Sequence, residues 1–139
     1  MIDATASLIA AARDAATRAY APYSNFHVGA AIRLTDGRVV TGANVENASY
    51  GLSLCAETVA FAKIANDRLL SEVVEIAIIG GTGSAPVRPC GRCRQVLNEA
   101  AQLSKHDLTI YCVSGDGATV EQHKLSALLP HAFGPDDLM

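Results

Sequence analysis

Three stretches of the chain, residues 5–20, 55–65 and 90–103, have the apolar patterns that are expected of helices. In the first, apolar residues recur at spacings of three and four, and Asp3 or Thr5 can cap the start of the helix. The second is apolar almost all round, so we expect a buried helix there. In the third, apolar positions again share one face. These patterns predict helices over residues 5–20, 55–65 and 90–103, followed by one helical turn over 125–129.

Strand-like apolar runs occupy the stretches between these helices. The runs 26–34 and 38–43 flank Asp36-Gly37, a dipeptide typical of hairpin turns. Gly29 within the first run indicates a close approach of two backbones. The element order, α-β-β-α-β-α-β-β, predicts a three-layer α/β/α fold of the α/β class with one mixed sheet of about five strands. The remaining strands, ending with a short edge strand, are predicted over 73–79, 108–113 and 119–123.

The composition is that of an ordinary globular protein. The chain has 139 residues, of which 50% are hydrophobic and 18% charged. This is enough to bury one core, so we expect residues 1–139 to form a single domain. The net charge of −3 gives no basic surface for nucleic acid or for anionic membranes, and we expect neither partner.

The N-terminus and the cysteine usage favour a cytoplasmic protein. The first residues lack a basic segment followed by an apolar one, so we do not expect a secretory signal. No apolar run of the sequence approaches the roughly 20 residues that cross a bilayer. Four cysteines in such a chain are expected to be reduced, and metal ligation is therefore favoured over disulfides.

Two short motifs, Cys-Ala-Glu at 55–57 and Pro-Cys-Gly-Arg-Cys at 89–93, contain the candidate chemistry. Both follow a loop and open a predicted helix, where partial positive charge stabilises thiolates. Their three thiolates can bind three sides of a zinc ion and leave the fourth for water, as catalytic zinc sites do. A carboxylate must then move the protons of that water, and Glu57 lies two residues from a proposed ligand. The proposed ligands are Cys55, Cys90 and Cys93.

Two other interpretations of these motifs remain open. The Cys-x-x-Cys pair could be a thiol–disulfide couple, although Cys55 and Glu57 then have no explanation. A zinc-stabilised binding module without catalysis would need a closed site with a fourth ligand. Cys112 is the remaining cysteine, and it lies in a predicted strand where a small buried apolar residue is expected.

Four longer motifs accompany the cysteines: Ala-Pro-Tyr-Ser-x-Phe-x-Val-Gly-Ala-Ala at 21–31, Asn-Val-Glu-Asn-Ala-Ser-Tyr-Gly at 44–51, Cys-Arg-Gln-Val-Leu at 93–97 and Leu-Leu-Pro-x-Ala-Phe-Gly at 128–134. Together with the two cysteine motifs, they resemble the zinc-dependent cytidine deaminases that use three cysteines. The resemblance spans nearly the whole chain. It implies a cytidine deaminase-like fold and the hydrolytic deamination of cytidine and 2′-deoxycytidine to uridine and 2′-deoxyuridine, with release of ammonia, in pyrimidine salvage.

The resemblance also implies roles for individual residues. Cys55, Cys90 and Cys93 would bind one zinc ion per subunit, and Glu57 would carry protons to N3 of the ring and then to the amine. Phe26 would stack on the pyrimidine. The substrate-binding positions that it implies are Phe26, Asn44, Glu46, Asn47, Ala48, Tyr50, Ala56 and Phe133.

The resemblance also implies how the sugar is bound and how the subunits assemble. Asn44 and Glu46 would hydrogen-bond the ribose hydroxyls, because an amide and a carboxylate can each bind a sugar hydroxyl. In this family, the active sites of a homotetramer are completed by neighbouring subunits. Tyr50 and Phe133 are the positions that would reach across. A polynucleotide deaminase would instead need a basic groove, which the net charge disfavours.

Two positions depart from the family pattern. Thr58 directly follows Glu57, where many members have an arginine that bonds a ligating thiolate, and Arg92 stands between the paired cysteines, where a small residue is common. We hypothesise that Arg92, with Arg94 as a second positive group, offsets the thiolate charge from the other helix. The run at 89–95 also resembles blasticidin S deaminase, which acts on a cytosine antibiotic. The ribose motif at 44–47 instead follows the nucleoside enzymes.

Overall fold

The computed structural model describes residues 3–139. Met1 and Ile2, part of the N-terminal stretch in which we expect no export signal, lie outside the described residues. Over the described range, no helix is long and apolar enough to span a bilayer. Except for the first helix, the bounds lie within two residues of those predicted. In chain order the elements are α1 (Ala4–Ala16), β1 (Val28–Leu34), β2 (Val39–Ala43), α2 (Ala56–Asn66), β3 (Val73–Gly80), α3 (Gly91–Ser104), β4 (Thr109–Ser114), β5 (Val120–Lys124) and α4 (Leu125–Leu128).

The five strands form one sheet in the order β2-β1-β3-β4-β5. The hairpin of β1 and β2 is antiparallel, with Ala31 opposite Thr41, and β1 is also antiparallel to β3. Strands β3 and β4 are parallel, with Ile78 aligned with Cys112, and β5 completes the sheet as an antiparallel edge. The predicted mixed sheet of five strands is therefore confirmed.

Alternating residues of the strands face two different helical layers. Helix α1, capped at its start by the carboxylate of Asp3, packs its Leu8 against Ala31 and neighbouring residues of one sheet face. Helices α2 and α3 cover the other face, where Ile32 and Ile78 lie in the larger buried cluster. The three-layer α/β/α arrangement is confirmed, and both cysteine-bearing helices lie on the same side of the sheet.

The first helix is shorter than the pattern predicts. Its expected end was residue 20, but it ends at Ala16. The N–H of Tyr20 donates to the carbonyl of Asn44 at 3.0 Å, and the carbonyl of Tyr20 accepts from the N–H of Glu46 at 2.8 Å. Pairing with the loop after β2 satisfies these backbone groups in place of another helical turn. Alanine content alone could not reveal this long-range competition.

Two glycines allow helices to approach the hairpin from opposite faces. A Cβ atom on Gly29 would lie 2.0 Å from the carbonyl oxygen of Ala12 in α1, so the close approach predicted there is confirmed. A Cβ atom on Gly42 would lie 2.5 Å from the backbone nitrogen of Ala60 and 2.6 Å from the carbonyl oxygen of Ala56. The first turn of α2, directly after Cys55, is therefore held against β2.

Candidate active site

The beginnings of α2 and α3 meet on one face of the sheet. Cys55 is the N-cap residue of α2 and Cys90 that of α3, both with extended backbone. Cys93 lies in the first turn of α3. The two helices share one buried cluster that includes Ala60 and Leu97. Packing of these helix bodies brings together three thiols that come from segments 35 residues apart.

The three thiols form a compact cluster that fits a zinc ion. The sulfurs of Cys55 and Cys90 are 4.0 Å apart, and all three sulfurs lie within 4.8 Å of one another. A tetrahedral zinc ion with Zn–S bonds of about 2.3 Å places its sulfurs about 3.8 Å apart. The donor set of three cysteines is also one that zinc prefers. The residues present therefore suit a zinc ion.

Electrostatics within the cluster favour a negatively charged sulfur. A hydrogen bond with Cys93 lowers the pKa of Cys55 to about 6, and the charge of Arg92 contributes in the same direction. The same hydrogen bond and burial raise the pKa of Cys93 well above its ordinary value. Negative charge is therefore favoured on the sulfur of Cys55 and disfavoured on that of Cys93. The positive charge of a metal ion would favour the thiolate forms of its ligands.

Cys112 lies apart from this cluster. It is fully buried on β4, in the position of the small apolar residue that its sequence context predicts. The cluster of potential metal ligands found among residues 3–139 contains the other three cysteines and not Cys112. This arrangement leaves one side of the cluster to a nonprotein ligand and does not support a closed four-cysteine site.

Glu57 is a buried carboxyl group beside the sulfurs. It is 4% exposed and lies in the first turn of α2, two residues after Cys55. Burial raises the pKa of Glu57 above its ordinary value, and the charge of Cys55 adds to that effect. A carboxyl group whose protonated form is stabilised in this way is suited to accept and then release a proton during a reaction.

The cluster and Glu57 open into a cavity of about 270 Å³. Its wall includes Ala56 beside the cysteines, and Asn44 and Glu46 from the loop after β2. Apolar side chains complete the wall, together with Arg88 from the loop that precedes α3. A polar pair and a cluster of potential metal ligands in one cavity wall suit a small polar molecule that contains a ring. The lining residues are Val28, Asn44, Glu46, Ser53, Leu54, Cys55, Ala56, Glu57, Val87, Arg88 and Cys90.

The side-chain amide of Asn44 is oriented by two backbone contacts. Its Oδ1 accepts from the N–H of Val28 at 2.8 Å, and its Nδ2 donates to the carbonyl of Phe26 at 2.8 Å. These bonds determine which end of the amide is the oxygen. One N–H of Nδ2 and one lone pair of Oδ1 remain for a ligand.

Glu46 is oriented by the turn that precedes β1. Its Oε1 accepts from the backbone N–H groups of Tyr23 and Ser24 at 2.9 and 3.1 Å. Its Oε2 accepts a short hydrogen bond from the hydroxyl of Ser24. Hydrogen bonding from Ser24 lowers the pKa of Glu46, with the hydroxyl as the largest cause. Glu46 is therefore an ionised acceptor.

Three of the predicted substrate positions, Phe26, Asn47 and Ala48, are not part of the cavity wall. The ring of Phe26 lies against Gly81, in an adjacent cleft that shares Val87 with the cavity. Asn47 and Ala48 are exposed, and the Oδ1 of Asn47 accepts from the N–H of Ser49 at 2.8 Å. The structure thus brings Asn44, Glu46 and Ala56 to the cavity and places these three residues beyond it.

The two aromatic residues predicted to reach a neighbouring subunit are exposed. Tyr50 is 75% and Phe133 59% exposed. The ring of Tyr50 packs against that of Tyr23, with centroids 5.9 Å apart. The backbone of Phe133 is fixed to α3, because its carbonyl accepts from Gln95 Nε2 at 2.8 Å and from Asn98 Nδ2 at 3.0 Å. Both rings are therefore exposed at the surface, one against another aromatic ring and the other on backbone that is fixed to α3.

The two predicted charge-tuning arginines have different surroundings. Arg92 is exposed, and its charge acts on Cys55. Arg94 donates to the carbonyl of Pro89 at 2.8 Å and to that of Leu128 at 3.0 Å. Arg94 thus fixes the loop that carries Cys90 to the C-terminal part of the chain.

Sequence reasoning missed two contacts near the cluster. The hydroxyl of Thr58 lies 3.9 Å from the sulfur of Cys93, so Thr58 supplies a neutral partner where an arginine was expected. Its spacing of three residues from Cys55 on one helix was the available signal. Arg88 lines the cavity and forms a two-point contact with Glu121 at 2.9 and 2.7 Å. No local pattern indicates that contact, because it joins residues 33 positions apart.

Comparison with known proteins assigns this chain to a family. The profile described as "Cytidine and deoxycytidylate deaminase zinc-binding region" matches residues 3–106, a segment that includes all three clustered cysteines. The chain belongs to the cytidine and deoxycytidylate deaminase family. Among its relatives in this family, the cytidine deaminase of Halalkalibacterium halodurans is 44% identical over 131 residues, covering 94% of this chain and 95% of the relative.

Other members support the same assignment. The cytidine deaminase of Mycobacterium tuberculosis is 47% identical over 133 residues, covering 91% of this chain and 87% of the relative. The crystal structure of the cytidine deaminase from Burkholderia pseudomallei superposes with a TM-score of 0.82 at 43% identity, covering 91% of this chain and 97% of that chain. The fold and the family predicted from the motifs are thus confirmed.

Replacing Cys93 with alanine should abolish retention of zinc. Only two sulfurs of the cluster would remain, and zinc sites with two protein ligands bind far more weakly than sites with three. The measurement is the zinc content of the purified chain by mass spectrometry after gel filtration. Cys112→Ala is the matched control, because it also removes a buried cysteine but should leave the zinc content unchanged. Zinc retained by the Cys93 variant would contradict the assigned ligand set.

Proposed function

We propose that this chain catalyses the hydrolytic deamination of cytidine and 2′-deoxycytidine to the corresponding uridines, with release of ammonia. The observation that carries the proposal is the three-cysteine cluster with a buried carboxyl group beside it, at the wall of a cavity that also contains Asn44 and Glu46. The relatives named cytidine deaminase, which align over most of the chain, support it. A blasticidin-type substrate has less support, because it lacks the ribose hydroxyls proposed as the partners of Asn44 and Glu46.

Cys55, Cys90 and Cys93 would bind one zinc ion per subunit. When bound, zinc lowers the pKa of a water molecule enough for it to act as a nucleophile near neutral pH. The start of two helices at this point adds positive potential, which favours the thiolate forms of the ligands. The hydroxyl of Thr58 can donate to the sulfur of Cys93 and reduce the charge that this sulfur gives to the metal.

Glu57 is the proton carrier of the proposed reaction. Its carboxylate takes a proton from the attacking water and delivers it to N3 of the ring while a C–O bond forms at C4. The second water proton then passes to the exocyclic amine, the C4–N bond breaks, and ammonia departs. Its raised pKa suits a group that must alternate between the two protonation states.

The polar side of the cavity would hold the sugar. The free N–H of Asn44 and the remaining lone pair of Glu46 can engage ribose hydroxyls, because one group donates and the other accepts. The backbone N–H of Ala56 lies beside Glu57, and Phe26 would supply a ring for stacking at the edge of the cavity. Asn47 and Ala48 extend the same loop. These assignments place the sugar beside Asn44 and Glu46 and the base beside Glu57 and the cysteines.

We further propose a homotetramer in which neighbouring subunits complete each active site. The exposed rings of Tyr50 and Phe133 support this proposal, since large exposed aromatic groups are characteristic of interfaces. The backbone of Phe133 is also fixed to α3. Four free cysteines, three of them in a ligand cluster, support a reducing cytoplasmic location. The proposed reaction then serves pyrimidine salvage.

Glu57→Gln should reduce turnover of cytidine by about 10²- to 10⁴-fold, which is the usual contribution of a general acid–base group. Glutamine has nearly the same shape but cannot carry the proton. The measurement is the loss of cytidine absorbance, together with zinc content, which should be unchanged. Glu99→Gln, an exposed position on α3, is the matched control. Full activity of the Glu57 variant would favour a non-catalytic zinc module.

Arg92→Ala should lower the turnover number by about 10-fold while leaving zinc content and folding unchanged. A cation close to the cluster offsets thiolate charge, and its loss weakens activation of the water. Arg92→Lys keeps the charge and should retain most of the turnover. The steady-state turnover number of the two variants is the measurement. Equal activity of the alanine variant and the wild type would remove Arg92 from the mechanism.

Mixed tetramers would test whether neighbours complete the site. Phe133→Ala alone should reduce activity by at least about 10-fold, as expected for an aromatic interface anchor. Co-expression with inactive Glu57→Gln subunits should restore activity, because a site with intact Glu57 then receives Phe133 from its neighbour. Co-expression of Glu57→Gln with Cys93→Ala is the control and should restore none. Absence of recovery in the first mixture would contradict shared sites.

A further inference from the structure

The turn before β1 contains a serine whose hydroxyl has two partners of opposite kind. Ser24 Oγ donates to Glu46 Oε2 and accepts from the N–H of Phe26 at 3.0 Å. The chain turns at Asn25, which has a positive φ of 57° and whose N–H donates to the carbonyl of Ala21 at 2.9 Å. The turn is thereby closed on itself and presents the hydroxyl to the loop after β2.

The partners of this hydroxyl determine its direction. A backbone N–H can only donate, so the hydroxyl must accept at the Phe26 contact, and an ionised carboxylate can only accept, so the hydroxyl proton must point to Glu46. A serine hydroxyl that rotates freely would have no such preference. The bond from Phe26 therefore aligns the donor that Ser24 offers to Glu46.

The carboxylate of Glu46 has one hydrogen-bond acceptor site that no protein group within residues 3–139 occupies. A carboxylate has about four lone-pair sites. Two on Oε1 are used by the N–H groups of Tyr23 and Ser24, and one on Oε2 is used by the Ser24 hydroxyl. One site on Oε2 remains. Because Glu46 lines the cavity, this site is the one available to a ligand.

We propose that Ser24 is a positioning residue for sugar recognition: it holds Glu46 so that a single oxygen lone pair faces the nucleoside. This inference rests on the proposed function, in which Glu46 binds a ribose hydroxyl. The two backbone donors hold Oε1 but allow the carboxylate to turn about that contact. The third bond, to Oε2, removes this freedom. Ser24 itself lines a second cleft, which it shares with Glu46 and Tyr50, and not the cavity beside the cysteines, so it acts through Glu46.

The contribution of Ser24 should be confined to substrates that carry sugar hydroxyls. Removal of its hydroxyl leaves Oε2 with water as an alternative partner, and the carboxylate must then be ordered by the substrate itself. The N–H of Phe26 is in an exposed residue and can bond water instead, so the fold should lose little. A purely structural role would affect all substrates equally, which gives the test its discriminating power.

The experiment compares two substrates in four forms of the full chain: wild type, Ser24→Ala, Ser24→Thr and Glu46→Ala. The substrates are cytidine and 2′,3′-dideoxycytidine, which lacks the hydroxyls at the 2′ and 3′ positions. The measured quantity is the ratio of their kcat/KM values, with kcat and KM also determined separately. Zinc content and the thermal unfolding temperature are recorded for every form.

Ser24→Ala should raise KM for cytidine about 10-fold with little change in kcat, because one charge-assisted hydrogen bond is lost. Its kcat/KM for dideoxycytidine should stay within about twofold of wild type, so the ratio falls about 10-fold. Ser24→Thr, which keeps a hydroxyl, should restore the ratio. An equal loss on both substrates, or an unchanged ratio, would overturn the proposal.

The Glu46→Ala variant distinguishes a failure of this inference from a failure of the proposed function. Glu46→Ala should lower the ratio at least as far as Ser24→Ala does. If Glu46→Ala leaves the ratio unchanged, Glu46 does not read the sugar and the role of Ser24 is overturned with it, while deamination itself stands. If wild-type protein deaminates neither nucleoside, the proposed function fails instead.

Discussion

The meeting of two helix starts at one point determines the rest of this site. Helices α2 and α3 lie on the same face of the sheet, and small residues such as Ala56, Ala60 and Ala100 are fully buried there. Because Cys55 and Cys90 are the cap residues of these helices, their side chains project beyond the helix bodies into the same space. Everything else in the cavity is arranged around that fixed position.

Two glutamates near the cavity are in opposite electrostatic surroundings. Glu57 is buried beside sulfur atoms, and burial raises its pKa. Glu46 receives three hydrogen bonds from the turn at Tyr23 and Ser24, and its pKa is lowered. One fold thus contains a carboxyl group suited to exchanging protons and another that is suited to remaining charged.

The sequence was sufficient for the parts of the structure that depend on local pattern. The order of the elements, the cap positions of Cys55 and Cys90, and the close approach at Gly29 could all be predicted, because each follows from spacing or residue type. The early end of α1 could not, since it depends on pairing between Tyr20 and a loop that lies more than 20 residues further along the chain.

In the candidate site, too, features that follow from local sequence pattern were predictable and those that depend on long-range contacts were not. The proximity of the three cysteines to one another and to Glu57 was predictable from two short motifs, whereas the partners that orient the site were not. Arg88 and Ser24 act through contacts with residues 33 and 22 positions away. Such contacts depend on how the sheet brings loops together, and one sequence contains no direct record of them. Propensity and periodicity describe neighbours along the chain and not neighbours in space.

The parallel pairing of β3 and β4 has a consequence for how the three cysteines are held. A parallel pair requires a crossover, and here the crossover contains Cys90, Cys93 and the whole of α3, while Cys55 precedes β3. The geometry of the cluster is therefore set by packing of two separate segments on one sheet, unlike that of a zinc finger, whose ion organises an otherwise unfolded peptide.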